Sequence, residues 1–189
     1  MTATTAPAGA SGALVPAGVA AWVAAGRVAL AAAERADQWS AAARAAVLGE
    51  LERVERLTAA VRGKVLAAER EAGTWGLAGD RDLAGFVARQ SHQGRGAGVA
   101  AVAQAGTLQA LPQVAQALVD GPVTTRHLAE ITKATGACPV LAAELATPEG
   151  QAEVVRLAAR LDGSEFGKAL QQQAAALDPA ARQREHDQQ

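Results

Sequence analysis

The sequence predicts an all-α protein, an irregular multi-helix bundle with one long heptad-patterned helix. Alanine is its commonest residue, and alanine has the highest intrinsic helix propensity of all residues. Leucine and valine recur at spacings of three and four, whereas no segment alternates apolar and polar residues as a half-buried strand does. Serine, threonine, aspartate and proline also stand where several of these periodic segments begin, as N-terminal helix residues do.

Length, charge and cysteine content exclude several classes of protein. The 189 residues suffice for a buried core, and the net charge of -1 with a pI near 6.3 excludes a uniformly basic nucleic-acid binder. The single cysteine, Cys138, excludes an intramolecular disulfide and favours a reducing cytoplasm. Arg27 is the first basic residue, which argues against a signal peptide. The stretch 14–33 is too rich in Ala and Gly to favour a membrane span.

Composition also predicts the domain organisation. Residues 1–13 are rich in Ala, Thr, Gly and Ser and are predicted to form a disordered leader. Residues 14–179 are predicted to form a single helical domain, beginning with a weakly hydrophobic helix over 14–39. The last residues, 180–189, are predicted to be a charged free tail.

The strongest helix is predicted over 41–72, with Ser40 as its N-cap. Apolar residues follow each other at alternating spacings of four and three, which is a heptad pattern: Val47, Leu51, Val54, Thr58, Val61, Val65 and Ala68. Two interpretations stay open, a helix packed within its own domain and a dimerising coiled coil. Under the first interpretation Leu51 and Val61 are expected to be buried.

Shorter helices follow, and turn residues separate them. Gly73 and Gly76 are expected to end the long helix, and Asp80 or Asp82 to cap the next one. The glycine-rich run 93–98 is interpreted as a turn between helices, because no strand precedes it and no lysine follows it as in a phosphate-binding loop. Further helices are predicted from 99, 112, 124, 148 and 164 onwards, and the stretch after Pro139 is predicted to be loosely helical.

No residue pattern predicts catalysis. The three histidines, His92, His127 and His186, are far apart, and none has metal-ligand spacing with another His, Cys or Asp. Cys138 has no neighbouring base in sequence and is interpreted as a loop or core thiol. We therefore expect no catalytic residue, no cofactor and no metal site.

Nucleic acid stays open as a partner through a local patch. The segment 112–136 has the proportions of a helix-turn-helix, although an ordinary helical hairpin is the favoured interpretation. Such a recognition helix would present Thr125, Arg126, Glu130 and Lys133. The residues that could contact a nucleic acid or a partner are these: Arg56, Arg62, Lys64, Thr124, Arg126, His127 and Lys133.

The order of these elements resembles a known family. The resemblance is carried by the heptad helix leading to Trp75, by the capped helix with Phe86, and by the segments 108–112, 118–124 and 157–179. The chain resembles the family called domain of unknown function 222 over about residues 42–179. That family is typically the N-terminal helical region of actinobacterial HNH endonuclease-like proteins. Two positions depart from the family pattern, since Asp82 and Phe86 stand where Ser and Trp are usual.

The resemblance implies a role beside a nuclease rather than nuclease activity in this chain. Family members carry arginines in the helix after Phe86, whereas residues 94–101 here are nearly uncharged, so nucleic-acid contacts are expected to be weak and salt-sensitive. An HNH site needs His and Asn around one metal, and the sequence contains no Asn. We expect a non-catalytic accessory domain that binds a protein or, weakly, DNA. The alternatives are a truncated HNH nuclease that needs a missing C-terminal domain, and a structural helical oligomer, for instance a homodimer through the heptad helix.

Overall fold

The computed structural model describes residues 15–177, apart from the side chain of Ala78, and its fold is all-α. The predicted leader 1–13 and tail 180–189 lie outside the described residues, so the predicted domain boundaries stay a prediction. Within 15–177 there are nine α-helices, two 3₁₀ helices and no strand. The α-helices are α1 Ala17–Ala33, α2 Ala41–Ala72, α3 Leu83–Ser91, α4 Arg95–Ala110, α5 Pro112–Asp120, α6 Thr125–Ala137, α7 Pro139–Leu145, α8 Pro148–Ala158 and α9 Gly163–Leu177.

The chain divides into two units, residues 1–48 and residues 49–189. In the first unit, α1 buries none of its residues and ends at Ala33, earlier than predicted, before a 3₁₀ helix over Ala36–Gln38. Alanine is the commonest residue of α1, and an alanine side chain gains little free energy from burial. No helix of the described residues is both long enough and apolar enough to cross a membrane.

Capping residues fix the helix boundaries where the sequence placed them. Ser40 Oγ accepts the backbone N–H of Ala43 at 3.1 Å, and α2 ends before Gly73, whose φ of 66° is left-handed. Asp82, rather than Asp80, caps α3, with its carboxylate accepting the Gly85 N–H at 2.7 Å. Pro112 and Pro148 start α5 and α8 as predicted, whereas the stretch predicted to be loosely helical is a regular helix that begins at Pro139.

The core of the second unit lies among α5 to α9. Its fully buried side chains include Leu118, Leu128, Ile131, Leu141, Leu145, Phe166 and Leu170. A buried glutamine satisfies a backbone group at the start of α5: Gln151 Oε1 of α8 accepts the Gln113 N–H in the first turn of α5 at 2.9 Å. A second, smaller cluster joins α2, α3 and α4 through Leu66, Leu83 and Ala105.

The glycine-rich run forms the turn between α3 and α4, as interpreted from the sequence. Gly94 has a φ of 84°, and α4 begins at Arg95, four residues earlier than predicted. Gly98 is buried, and a β-carbon there would lie 2.2 Å from the Ala84 carbonyl oxygen. The glycine therefore permits a close approach of two helix backbones.

Candidate partner-binding face

The long helix α2 meets the rest of its unit through small side chains. Gly63 and Leu66 are buried, and Ala59 and Ala60 pack half-buried against the main core. A β-carbon at Gly63 would come within 2.8 Å of Leu108 Cδ1, so glycine lets α2 and α4 approach closely. The stripe that faces the domain is therefore built of Gly63, Leu66 and alanines rather than of the heptad residues.

The branched apolar residues of the heptad pattern point the opposite way. Val61 and Val65 each lie two positions from Gly63, which is about 200° around an α-helix. The exposed fractions of the heptad residues are 37% for Val47, 50% for Leu51, 39% for Val54, 40% for Val61 and 60% for Val65. We call Leu51, Val54, Thr58, Val61 and Val65 the α2 face.

The prediction that the heptad residues lie in the chain's own core is therefore wrong. Close packing through Gly63 and its neighbouring alanines takes the inner side of α2, which leaves the branched residues outside. The alternative, a dimer seam, stays a prediction. Thr58 adds a methyl group to the face, because its hydroxyl donates to the Val54 carbonyl at 2.7 Å.

Polar contacts hold the C-terminal half of α2 in this orientation. Arg70 Nη2 donates to the Val102 carbonyl of α4 at 2.9 Å, and Gln109 Nε2 donates to Glu71 Oε1 at 3.3 Å. Arg56 is half-buried, with its guanidinium beside Gly121, and its Nε is buried without a hydrogen-bond partner. Arg56 therefore lies against the α5–α6 turn rather than in an open basic patch.

Arg62 borders a cleft beside the α2 face. The cleft has a volume of about 460 Å³, and its floor comes from Leu66, Phe86, Val87 and Ala101. Gln90, Ser91, Gln93 and Gln104 supply its polar groups, and no carboxylate lines it. Sequence reasoning did not single out these glutamines. The only signal was their recurrence around the glycine-rich turn, and the cleft arises when α2 lies across α3 and α4.

His127 is a structural residue rather than an exposed contact. Its Nδ1 accepts the Thr124 N–H at 3.2 Å, while Thr124 Oγ1 accepts the His127 N–H at 3.2 Å, which forms a reciprocal cap for α6. Its Nε2 lies 3.1 Å from the Leu161 carbonyl, and its ring centroid lies 4.7 Å from that of Phe166. Because one nitrogen accepts and the other must donate, the geometry selects the neutral ring.

Burial lowers the pKa of His127 below its ordinary value of 6.5, although the Leu161 carbonyl opposes the shift. The side chain is only 4% exposed. The proposed contact of His127 with a phosphate or partner is therefore wrong, because both ring nitrogens are used within the chain. Thr124 is half-buried, and its hydroxyl is likewise used in the cap.

The surface of α6 does not have the form of a recognition helix. Arg126 forms an ion pair with Glu130 at 2.7 Å, so its charge is partly neutralised within the helix. A β-carbon at Gly163 would lie 2.2 Å from Arg126 Cγ, and one at Gly167 would lie 2.9 Å from Glu130. Because α9 packs on this side of α6, the helix-turn-helix interpretation fails and an ordinary helical hairpin remains.

The remaining basic candidates form no side-chain hydrogen bond or ion pair with Arg56, Arg126 or His127 within residues 15–177. Lys64 and Lys133 are exposed on α2 and α6. Residues 15–177 contain no group of three or more His, Cys, Asp or Glu side chains that could hold a metal ion. Cys138 is a buried thiol at the N-terminus of α7, where its sulfur accepts the Leu141 N–H at 3.4 Å.

These features define the chain as an all-α domain of capped, closely packed helices whose longest helix carries an exposed apolar face. Within that class, the family model described as Domain of unknown function (DUF222) matches residues 45–189. The chain belongs to this family, in agreement with the resemblance seen in the sequence. No curated protein and no solved structure matches the chain.

Proposed function

We propose that this chain is a non-catalytic helical accessory domain that acts by binding a protein partner through the α2 face. The observation that carries the proposal is the exposure of large apolar side chains along one side of one helix. Contiguous apolar rows on a folded protein mark interaction sites, whereas single exposed apolar residues need no explanation. Partner helices are recognised through anchors at such spacings of three and four.

The charge distribution supports a protein partner more than it supports DNA. Four arginines form ion pairs with carboxylates of their own chain, in the pairs Arg89–Asp80, Arg95–Asp82, Arg126–Glu130 and Arg156–Glu153. On α2, the bases alternate with Glu50, Glu52, Glu55 and Glu69, and the net charge is -1. Phosphate binding needs clustered unpaired bases, so contacts with DNA through Arg62, Lys64 or Lys133 would be weak and salt-sensitive.

Membership of the family supports the wider context of the proposal. The resemblance to the N-terminal region of actinobacterial HNH endonuclease-like proteins favours a place beside a nuclease rather than a nuclease activity of its own. The single, buried Cys138 favours a reducing cytoplasm as the compartment. The non-catalytic part is tested by incubating the purified chain with plasmid DNA and Mg²⁺, Mn²⁺ or Zn²⁺. Metal-dependent nicking that survives repurification would contradict it.

Binding through the α2 face is tested by site-specific photo-crosslinking in the cells that produce the protein. A photoreactive phenylalanine analogue replaces Val61, and the same analogue at Val99 of α4 is the matched control, because both valines are exposed by about 40–50%. We expect a discrete adduct from position 61 and none from position 99. The adduct should disappear when Val54→Glu interrupts the face. Equal labelling from both positions would contradict the proposal.

A further inference from the structure

We propose that the partner of the α2 face is a second copy of this chain. The two α2 helices pair antiparallel, with Leu51 opposite Val61 and Val54 opposite Thr58. This inference rests on the proposed function, since it names the partner of the same face. It goes beyond that function in fixing the register and the residues that select it.

The apolar part of the register follows from the heptad pattern. Leu51 and Thr58 are seven residues apart and both occupy heptad position a. Val54 and Val61 are also seven residues apart and both occupy position d. An antiparallel pair sets position a of one helix against position d of the other, and two-fold symmetry makes each layer occur twice. The result is six consecutive apolar layers centred between Val54 and Thr58, because the same register sets Val47 opposite Val65 at each end. The Thr58 hydroxyl is bonded to its own helix, so only its methyl group enters the layer.

The charged flanks of α2 complement this register. In the register that pairs Leu51 with Val61, Glu50 lies beside Lys64 of the second copy, and this contact also occurs twice. Glu50 and Lys64 are both exposed, and neither is in an ion pair with a described residue. Leu57 meets Leu57 of the second copy near the axis. Glu55 meets its own counterpart, which is the one unfavourable contact.

Other arrangements place the charges less well. A parallel pair brings Glu50 beside Glu55 of the second copy twice, which is repulsive and offsets the attraction of Lys64 for Glu69 in the same arrangement. An antiparallel pair shifted by one heptad toward the C-terminus sets Leu51 opposite the smaller Ala68, and its repulsion between Glu50 and Glu71 offsets the attraction of Glu55 for Arg62. Flanking charges of this kind determine partner choice and orientation in helix pairs. In the proposed register the attractive contacts outnumber the repulsive one, whereas in these two arrangements attraction and repulsion cancel.

The fold leaves room for a second helix on this side. The domain contacts α2 through Gly63, Leu66 and their alanine neighbours, on the opposite side of the helix from the α2 face. A second copy can therefore approach without displacing any core contact. Because the seam has only six layers, we expect a micromolar rather than a nanomolar dimer.

Sedimentation equilibrium of the full chain over a wide concentration range tests the register by charge reversal. Glu50→Lys and Lys64→Glu each turn two attractive contacts into two repulsive ones, and each should weaken the dimer about tenfold. A mixture of the two variants should form a heterodimer as tight as the wild type, because both contacts are then attractive again. Glu149→Lys on α8 and Lys133→Glu on α6 carry the same charge changes at exposed positions away from α2 and should leave the dimer unchanged.

The outcomes separate this inference from the proposed function. A dimer that Glu50→Lys tightens would overturn the register, because that substitution is favourable in both the parallel and the shifted arrangement. A chain that stays monomeric would overturn the homodimer. If the monomeric chain still gave a face-dependent adduct with another protein at position 61, the proposed function would stand without the homodimer. If it gave none, both would fall.

Discussion

Gly98 of α4 lies directly against the backbone of Ala84 in α3, and a β-carbon at position 98 would be 2.2 Å from the Ala84 carbonyl oxygen. Backbone atoms cannot yield as the end of a side chain can. Gly98→Ala should therefore separate the two helices and lower the free energy of unfolding by about 1–3 kcal/mol. Gly96→Ala, two positions earlier in an open environment, should raise it by about 0.5–1 kcal/mol. Urea denaturation of both variants measures the difference, and equal effects would contradict the close contact.

The buried His127 predicts a dependence of stability on pH. Its pKa is lowered in the folded chain, whereas the unfolded chain binds the proton near the ordinary value of 6.5. Stability is therefore fully present above about pH 6.5 and is lost as the pH falls from there through the folded pKa. Protonation also removes the acceptor at Nδ1 that holds the Thr124 N–H. Thermal melts between about pH 7.5 and pH 5.5 should show a falling melting temperature.

A matched variant isolates that effect. His127→Gln keeps a side chain able to accept the Thr124 N–H, as glutamine does at this position of a capping box, but it cannot titrate. It should be less stable at neutral pH, because it loses the packing on Phe166, and its melting temperature should change little over the same pH range. An undiminished pH dependence in the variant would assign the effect to another group.

The exposure of the α2 face predicts tolerance to charge. Val61→Asp in dilute solution, where the chain is monomeric, should change the free energy of unfolding by no more than about 0.5–1 kcal/mol, since the carboxylate stays in water. Leu118→Ala, at a fully buried position, should cost about 2–5 kcal/mol. Thermal melts of the two variants decide it. A loss at Val61 as large as that at Leu118 would show that the face is covered within the chain.

DNA binding should be weak and independent of sequence. We expect a dissociation constant no lower than micromolar, with binding largely lost by about 150 mM salt. The physical reason is that, among residues 15–177, few bases are both unpaired and clustered. Fluorescence anisotropy of labelled duplexes across salt concentrations measures this. Nanomolar affinity for a preferred sequence at physiological salt would contradict it.

The helix boundaries could be predicted because local residues determine them. Ser40, Asp82 and Thr124 each satisfy backbone groups three residues away, so their role is visible in a short window of sequence. The early start of α4 was missed because glycines at 94, 96 and 98 lower the local helix propensity. The helix forms there because Gly98 allows contact with α3, which is a tertiary effect.

The side of α2 that faces the domain could not be predicted from periodicity. The heptad rule selects the largest apolar residues, but burial here follows Gly63 and the alanines around it. These small residues are buried because α4 packs closely against them, which only the folded structure shows. The role of His127 was missed for a similar reason. Its second hydrogen bond reaches Leu161, 34 residues along the chain, and no local pattern reveals that partner.

From Ala41 to Glu55, α2 buries no side chain. That half of the helix depends on its own hydrogen bonds and the Ser40 cap, and isolated helices of about 12–15 residues are only marginally stable in water. Amide hydrogen exchange should therefore slow steadily from Ala41 toward Leu66, where the domain anchors the helix. A second helix on the α2 face would add most protection in the first half, which the domain does not anchor. The exchange rate at Leu51 should thus fall as protein concentration rises, so this amide reports how much of the α2 face is occupied.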